Sequence, residues 1–410
     1  MSSLDWICCQ IGAREHYAVP RALVEVHRKI SMITDVWVPP SQAMLFPSRW
    51  KQRFHPGLEG VSVAAWNLNA AFMEAGLRFR GLRGWDRTLA RNRWFEHKAA
   101  KTTMEMVASL KQQPIVFAFS YAAAEIFTRA KASGCRTILG QIDPGPVEME
   151  IVRRLEAELG GPQTEWPPDS YWDQWREECE LADCIVVNSD WSRQALVQEG
   201  IPESKLRIVP LAYESRASDA LSGDKDLPER FDAARPLQVL FLGQLISRKG
   251  IRELTQAIRR MEGAPVEWNL VGGADSATLA ELRKLPQTHV PGAVSRKEAA
   301  HFYSSADVFI LPTHSDGFAI TQLEAMSFGL PVVASACCGQ VAEHDRTGLI
   351  LPAVSADAIE ATVSRLIDEP GLLRRLAGQV RLTPVRNVTD LANDLLEIER
   401  QLMRGAVQGV

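Results

Sequence analysis

Between residues 314 and 335 the chain reads HSDGFAITQLEAMSFGLPVVAS, and this stretch restricts the available folds more than any other. Asp316 and Glu324 stand with seven residues between them, and Phe318, Ile320, Leu323, Ala325 and Met326 recur at the spacing of a packed helix. The pattern predicts Asp316-Gly317 as loop and cap, Glu324 inside the helix, and a step of roughly 12 Å between the two acids at helical rise. Gly329 and Pro331 end the helix, and the β-branched run after them predicts a short strand. Gly317 admits close backbone approach, and the first N–H groups of a helix have no partner within it, so this end can receive a phosphate. Two carboxylates so placed suit the hydroxyls of two sugar rings on either side of a diphosphate, which is the shape of a nucleotide-sugar. Alone, the same letters describe a capped core helix with a solvated Asp and an ordinary Glu, so the flanks must decide.

The flanks alternate strand and helix. Residues 5–11 read as a buried strand and 12–17 as a Gly turn, and Val19, Leu23, Val26 and Ile30 carry helical spacing. Strand, Gly turn and helix open a doubly wound domain, whose ligands gather at the carboxyl ends of strands. The turn from Gly12 therefore faces a cleft, and Arg14 and His16 become candidates for a phosphate or an acceptor; a solvated loop with stray charges is the alternative. Further strands are predicted at 114–119, 136–142 and 184–189, and Asp143 leaves the end of the second of these in a loop held extended by Pro144 and Pro146. Residues 215–235 are polar and poor in apolar spacing, as in a linker, and the acid pair Asp224 and Asp226 reads as part of it. The run 237–243 is continuously apolar, as expected for a parallel sheet covered on both faces. Gln244, Arg248, Lys249 and Gly250 follow it into an amphipathic helix. Strands at 266–271, ending in Gly272, and at 288–292 come next; Ser295 and Glu298 have capping-box spacing, and 307–312 delivers the opening motif.

Residues 76–101 hold eight basic residues against two acids. Leu82, Trp85 and Leu89 could share one face, which predicts either a solvated basic lid over the cleft or an interfacial helix meeting anionic lipid; Gly81 and Gly84 weaken it. The aromatic run from Trp166 to Trp175 suits either stacking on an acceptor sugar or packing a helix onto its domain.

A length of 410 residues is comfortable for two domains, and a net charge of −4 gives no global pull toward nucleic acid. No apolar run approaches membrane-spanning length, and the first residues lack the basic-then-apolar layout of a signal peptide, so a cytoplasmic protein is expected. Seven cysteines without a CxxC pattern do not read as a disulfide framework, and structural zinc is not expected.

An acid, seven residues, Glu, then Ala-Met and Gly-x-Pro-Val resembles the signature of the retaining glycosyltransferases of family four, a group with the GT-B fold. Lys249-Gly250 at a helix start, the stretch 291–294 and the stretch 187–210 fall in the same order as in that family, and the resemblance covers about residues 180 to 380. It implies two facing Rossmann-like, doubly wound domains with a cleft between them: an acceptor-side domain at 1–214, a linker at 215–235, a nucleotide-sugar domain at 236–385 and a helix at 386–410 that packs back on the first. It also implies transfer of a sugar from a nucleoside-diphosphate sugar, with retained configuration, to a glycan, lipid-linked or small-molecule acceptor in polysaccharide biosynthesis. In that frame Lys249 lies on the diphosphate with Gly12, Gly272 and the backbone of Gly317, Phe318 and Ala319; Asp316 holds the donor hexose, Glu324 the ribose, and Val294 lies beside the base. Lys249, Asp316 and Asp143 take the catalytic positions, Arg14 and His16 the acceptor side, and no metal or cofactor beyond the co-substrate is implied. Peripheral membrane contact would fall on residues 78–101. The chain departs from the family pattern at Gln244, where Arg is usual and Arg248 is a displaced substitute, at Asp316, where Glu is common, and near Asp143, where a His is frequent. It departs again at Leu211-Ala212-Tyr213, where Asn-Gly is typical. These departures keep two other readings open, a nucleotide-sugar epimerase of the same fold and a non-catalytic nucleotide-sugar binding protein.

Overall fold

The computed structural model describes residues 4–47, 50, 52–160, 165–214 and 227–407. Strands β1 (Trp6–Gln10), β2 (Ile30–Thr34), β3 (Ser62–Ala65), β4 (Ile115–Phe119), β5 (Arg136–Gly140), β6 (Cys184–Val187) and β7 (Leu206–Ile208) form one parallel sheet in the order β3-β2-β1-β4-β5-β6-β7. Strands β8 (Leu237–Leu242), β9 (Val266–Val271), β10 (Thr288–Gly292), β11 (Val308–Leu311), β12 (Val332–Ser335) and β13 (Gly348–Leu351) form a second, in the order β10-β9-β8-β11-β12-β13. The first sheet carries helices α1 (Ala18–Glu25), α2 (Asn67–Phe79), α3 (Gly84–Ser109), α4 (Ala124–Ala132), α5 (Pro146–Leu159), α6 (Asp169–Leu181) and α7 (Asp190–Gln198). The second carries α8 (Ile251–Arg260), α9 (Ser276–Leu282), α10 (Arg296–Ser305), α11 (Thr321–Ser327), α12 (Ala356–Asp368) and α13 (Pro370–Leu382), and the chain ends in α14 (Val388–Val407).

Each strand feeds both faces of its sheet. Along β1, Ile7 and Cys9 enter one core with Phe95, Phe127 and Trp175, while Trp6 and Cys8 enter another with Leu23 and the α14 residues Leu391, Leu395 and Ile398. That is why β1 and β8, apart from Gln10 and Gln238, are apolar rather than alternating. Helix α14 is fastened to the first sheet: the Trp6 indole donates to Glu399 at 2.9 Å, and Arg28 grips the same carboxylate with two bonds of 3.0 Å. Of the expected linker, residues 215–226 lie outside the described residues, Asp224 and Asp226 among them. Leu227 and Phe231 pack into the core of the second sheet, and Arg235 clasps the buried Asp307 at 2.7 and 2.8 Å.

The basic stretch is two helices, broken between α2 and α3 where Gly81 adopts a left-handed φ of 69°. The apolar members expected to share a face are split: Leu82 lies between the helices, Leu89 is buried, and the half-buried Trp85 packs on Tyr171 with its indole donating to the Glu165 carbonyl at 2.7 Å. The rings from 171 to 175 likewise pack α6 onto its domain, with Tyr171 and Trp175 buried. Two acids from other helices cap α4. Glu178 accepts the Tyr121 and Ala123 N–H groups at 2.6 and 2.8 Å, and Glu96 accepts that of Glu125 at 2.9 Å. Burial pushes the Glu178 carboxyl up to about 8.

Among the described residues, no helix is long and apolar enough to cross a membrane. In each sheet the strand order reverses once, between β1 and β4 and between β8 and β11, and at such a reversal the loops leaving the strand ends splay apart and open a crevice. The loops after β1, β4, β8 and β11 begin at Ile11, Ser120, Gly243 and Pro312, so nearly every candidate residue from the sequence lies in or beside one of them.

Candidate functional site

Lys249 closes a single 3-10 turn, Ser247–Lys249, between β8 and α8, and Gly250 follows at a φ of 74°. The turn stops the Lys249 side chain from running out to solvent, and its ammonium pairs with Asp316 in the loop after β11. Burial and the neighbouring Arg248 push the Lys249 pKa down to about 8, against a smaller pull from Glu148. The Asp316 carboxylate in contact favours the ammonium form and works against that fall.

Asp316 also spends its other oxygen locally. Its Oδ1 accepts the N–H groups of Phe318 at 3.2 Å and Ala319 at 3.0 Å, and Ala319 adopts a left-handed φ of 61° to complete the turn. Two amides expected to receive a phosphate are therefore donated to the chain's own carboxylate. The helix is also shorter than the spacing predicts: α11 begins at Thr321, so a helical step of roughly 12 Å between the acids does not apply. Glu324 does lie inside it, half-buried, and its carboxylate accepts the Tyr303 hydroxyl at 2.7 Å. Tyr303 is itself buried and stacked on Phe328.

The other donor-side candidates are placed as follows. Arg248 reaches across to the first domain, where its guanidinium meets Glu148 of α5 at 3.3 Å, and it also donates to the Ser315 carbonyl of its own domain at 2.5 Å. Gln244 is exposed just beyond β8, and Val294 is half-buried beyond β10. Gly272 packs strand ends together: its N–H donates to Gly292, and an added Cβ would lie 1.6 Å from the Gly243 carbonyl oxygen. Gly12 serves the first domain, donating its N–H to Asp35 at 2.8 Å beside Arg53.

On the acceptor side, Asp143 accepts the Tyr121 hydroxyl at 2.6 Å and the Gly145 N–H at 2.9 Å. Arg14 lies over the Phe119 ring at 5.4 Å, within the field of Asp143 and Tyr121, and burial lowers its pKa. His16 meets Arg296 of the second domain; since a guanidinium can only donate, the imidazole Nε2 accepts. Glu15, His16 and Tyr17 all hold left-handed φ values, a strained turn fixed by the packing of Tyr17 below it.

Sequence reasoning missed the residues that join the two sides. The Glu148 carboxylate accepts the Ser315 hydroxyl at 2.8 Å as well as Arg248, and Ser315 in turn accepts the Trp191 indole N–H at 3.1 Å. Ser192 donates to the Gly317 carbonyl at 3.4 Å, and a Cβ on Gly317 would stand 2.9 Å from the Asn188 amide nitrogen. Burial raises the Glu148 pKa while Arg248 lowers it, and the charges of Asp143 and Lys249 both act there too. Groups from both domains thus converge on one half-buried crevice. It holds a half-buried cation, carboxylates, and main-chain amides now donated to Asp316, which suits a ligand with both phosphate and hydroxyl groups.

Residues 236–369 match the protein family described as Glycosyl transferases group 1. The chain is 26% identical over 219 residues to the MMP alpha-(1->4)-mannosyltransferase of Mycolicibacterium hassiacum, covering 51% of each chain. It is 28% identical over 206 residues to the GDP-mannose-dependent alpha-(1-6)-phosphatidylinositol monomannoside mannosyltransferase of Mycobacterium tuberculosis, covering 45% of this chain and 52% of that one. The chain spans about half the length of the curated relatives it matches. Among solved structures, HepE of Anabaena, in complex with UDP and glucose, superposes with a TM-score of 0.63 at 13% identity, covering 97% of this chain and 100% of that one. The catalytic domain of starch synthase IV from Arabidopsis thaliana, bound to ADP and acarbose, superposes with a TM-score of 0.66 at 12% identity, covering 98% and 99%. The two parallel sheets with their helices are the GT-B fold, and the second of them lies within the stretch that matches the glycosyl transferases group 1 family.

Proposed function

We propose that this chain is a retaining glycosyltransferase that moves a hexose from a nucleoside-diphosphate sugar to a carbohydrate or lipid-linked acceptor. The observation that carries the reading is the meeting of the two domains around Lys249: its ammonium pairs with Asp316, and the adjoining Arg248 and Ser315 reach Glu148 of the first domain at 3.3 and 2.8 Å. A donor held there has its phosphates beside a cation and its reactive carbon toward the other domain.

Departure of the diphosphate builds negative charge, and a preorganised cation where that charge develops is the largest catalytic contribution such a site can make. In this reading Lys249 exchanges Asp316 for the diphosphate, and the freed Asp316 carboxylate and amides take the sugar hydroxyls and a phosphate oxygen. Glu324, oriented by Tyr303, takes the ribose hydroxyls. Asp143 and Arg14 face the acceptor, which approaches on the side from which the diphosphate leaves, so the anomeric configuration is retained. Lys249 supplies the positive charge, so the reading assigns no metal, and EDTA should leave turnover unchanged. The named mannosyltransferase relatives support a hexose donor.

Incubation with UDP, GDP and ADP forms of common sugars, with the product's anomeric configuration read by NMR, tests this. A new glycosidic bond of the donor's configuration is expected. Isomerised donor would assign an epimerase, and tight binding without chemistry a binding protein. Within the same assay Tyr303→Phe should raise the donor KM on the order of fivefold with kcat nearly unchanged, because it removes one hydrogen bond that orients Glu324 in ground and transition state alike.

A further inference from the structure

The exposed large apolar side chains of this protein are not scattered. Met44, Leu45, Leu68, Phe72 and Phe79 make up more than half of those found among the described residues. Leu68, Phe72 and Phe79 are 68%, 75% and 95% exposed, and with Ala75 between them they repeat at i, i+4, i+7 and i+11 along α2. That spacing draws one stripe down one side of a helix. The other side does the packing, through the buried Ala70 and Leu77. An amphipathic helix of a water-soluble domain turns its apolar stripe inward; α2 turns a second one out. The 3-10 turn Pro40–Leu45 lies alongside, since Ala43 and Ala70 pack on the same small core, and it adds Met44 at 96% and Leu45 at 79% exposure.

The exposed charge where α2 ends is mainly positive, with Asp86 at the start of α3 the nearest exposed acid in sequence. Arg78, Arg80 and Arg83 are exposed where α2 ends, and none makes an ion pair among the described residues. The one acid of α2, Glu74, is held by Arg87. We propose that this face docks on an anionic lipid surface, with the stripe entering the headgroup boundary and the three arginines meeting lipid phosphates. An outward apolar stripe with unpaired cations at its end is what an interfacial helix requires. The docking face is therefore α2 and its neighbouring turn, and not α3, whose apolar side chains are spent inside the domain.

Flotation of the full chain with phosphatidylcholine vesicles, with and without phosphatidylglycerol, tests the assignment. The wild-type chain should float with the anionic vesicles, less with the neutral ones, and less again as salt is raised. Phe72→Ser combined with Phe79→Ser should lower partitioning on the order of tenfold on both vesicle types. Arg78→Glu combined with Arg80→Glu should lower it on the anionic vesicles alone. All four side chains are exposed, and unchanged thermal unfolding would show that the fold is kept. Absence of wild-type flotation on anionic vesicles, or equal flotation of the Phe variant, would overturn the proposal. A dimer in sedimentation that the Phe variant dissolves would instead assign the face to a second copy of the chain.

Discussion

Lys249→Ala is expected to lower kcat on the order of a hundredfold, with a much smaller change in donor KM. The side chain is held at the end of a single turn, half-buried, and in contact with a carboxylate that the donor would replace. Removing it takes away charge that matters most when the diphosphate is leaving, so the loss falls on the chemical step. The same variant leaves Asp316 without its cation, so an unspecific loss of structure must be separated from a loss of catalysis. Lys249→Arg does this, since it restores charge and fills the crevice. The pH dependence gives a second readout. The ammonium is present below the lowered Lys249 pKa and lost above it, and the Asp316 contact opposes the lowering, so kcat/KM should fall with rising pH from about 8 upward. Guanidinium stays charged there, and Lys249→Arg should move the falling limb to higher pH whatever its absolute rate. Activity of Lys249→Ala equal to wild type would remove Lys249 from the mechanism.

The second sheet and the strands β1, β4, β5 and β6 are legible in the sequence because they rest on local patterns. Strands β2 and β3 are not: the helical spacing runs on to Ile30, but α1 ends at Glu25 and Ile30 opens β2. The almost continuous apolar runs of β1 and β8, each followed by a Gly-containing turn and an amphipathic helix, can hardly serve anything but buried parallel strands. The meeting of Lys249 and Asp316 follows from that layout, since their loops leave the two strands that flank the reversal of strand order. The detail of the site is not legible. Periodicity carried the α11 helix back to Phe318, but the Asp316 side chain competes for the backbone amides and the left-handed Ala319 starts the helix later. The Glu148–Arg248 and Trp191–Ser315 contacts join residues 100 and 124 positions apart, and a single sequence contains no signal for such pairs. The α2 stripe shows the opposite limit: its spacing is plain in the letters, but spacing alone does not say which side of a helix faces water.

Gly250→Ala is expected to destabilise the second domain on the order of 3 kcal/mol and to weaken donor binding with it. Gly250 ends the turn that holds Lys249 and begins α8, at a φ of 74° and a ψ of 23°. A β-carbon there would stand 1.8 Å from the Pro312 carbonyl oxygen, a backbone atom at the end of β11 that cannot swing aside. The left-handed backbone alone costs about 1 kcal/mol for an L residue. Relief of the overlap must come from separating the turn after β8 from the end of β11, and these are the two segments that bring Lys249 to Asp316. Gly263→Ala is the matched control, because Gly263 holds a φ of 82° in the same domain with nothing within 4 Å of the added carbon. Urea unfolding followed by circular dichroism should show a loss of about 1 kcal/mol for the control and about three times that for Gly250→Ala. Titration of a nucleoside diphosphate by calorimetry should show weakened affinity for Gly250→Ala alone. Equal losses in the two variants would mean that the close approach of the turn to β11 does not set the position of Lys249.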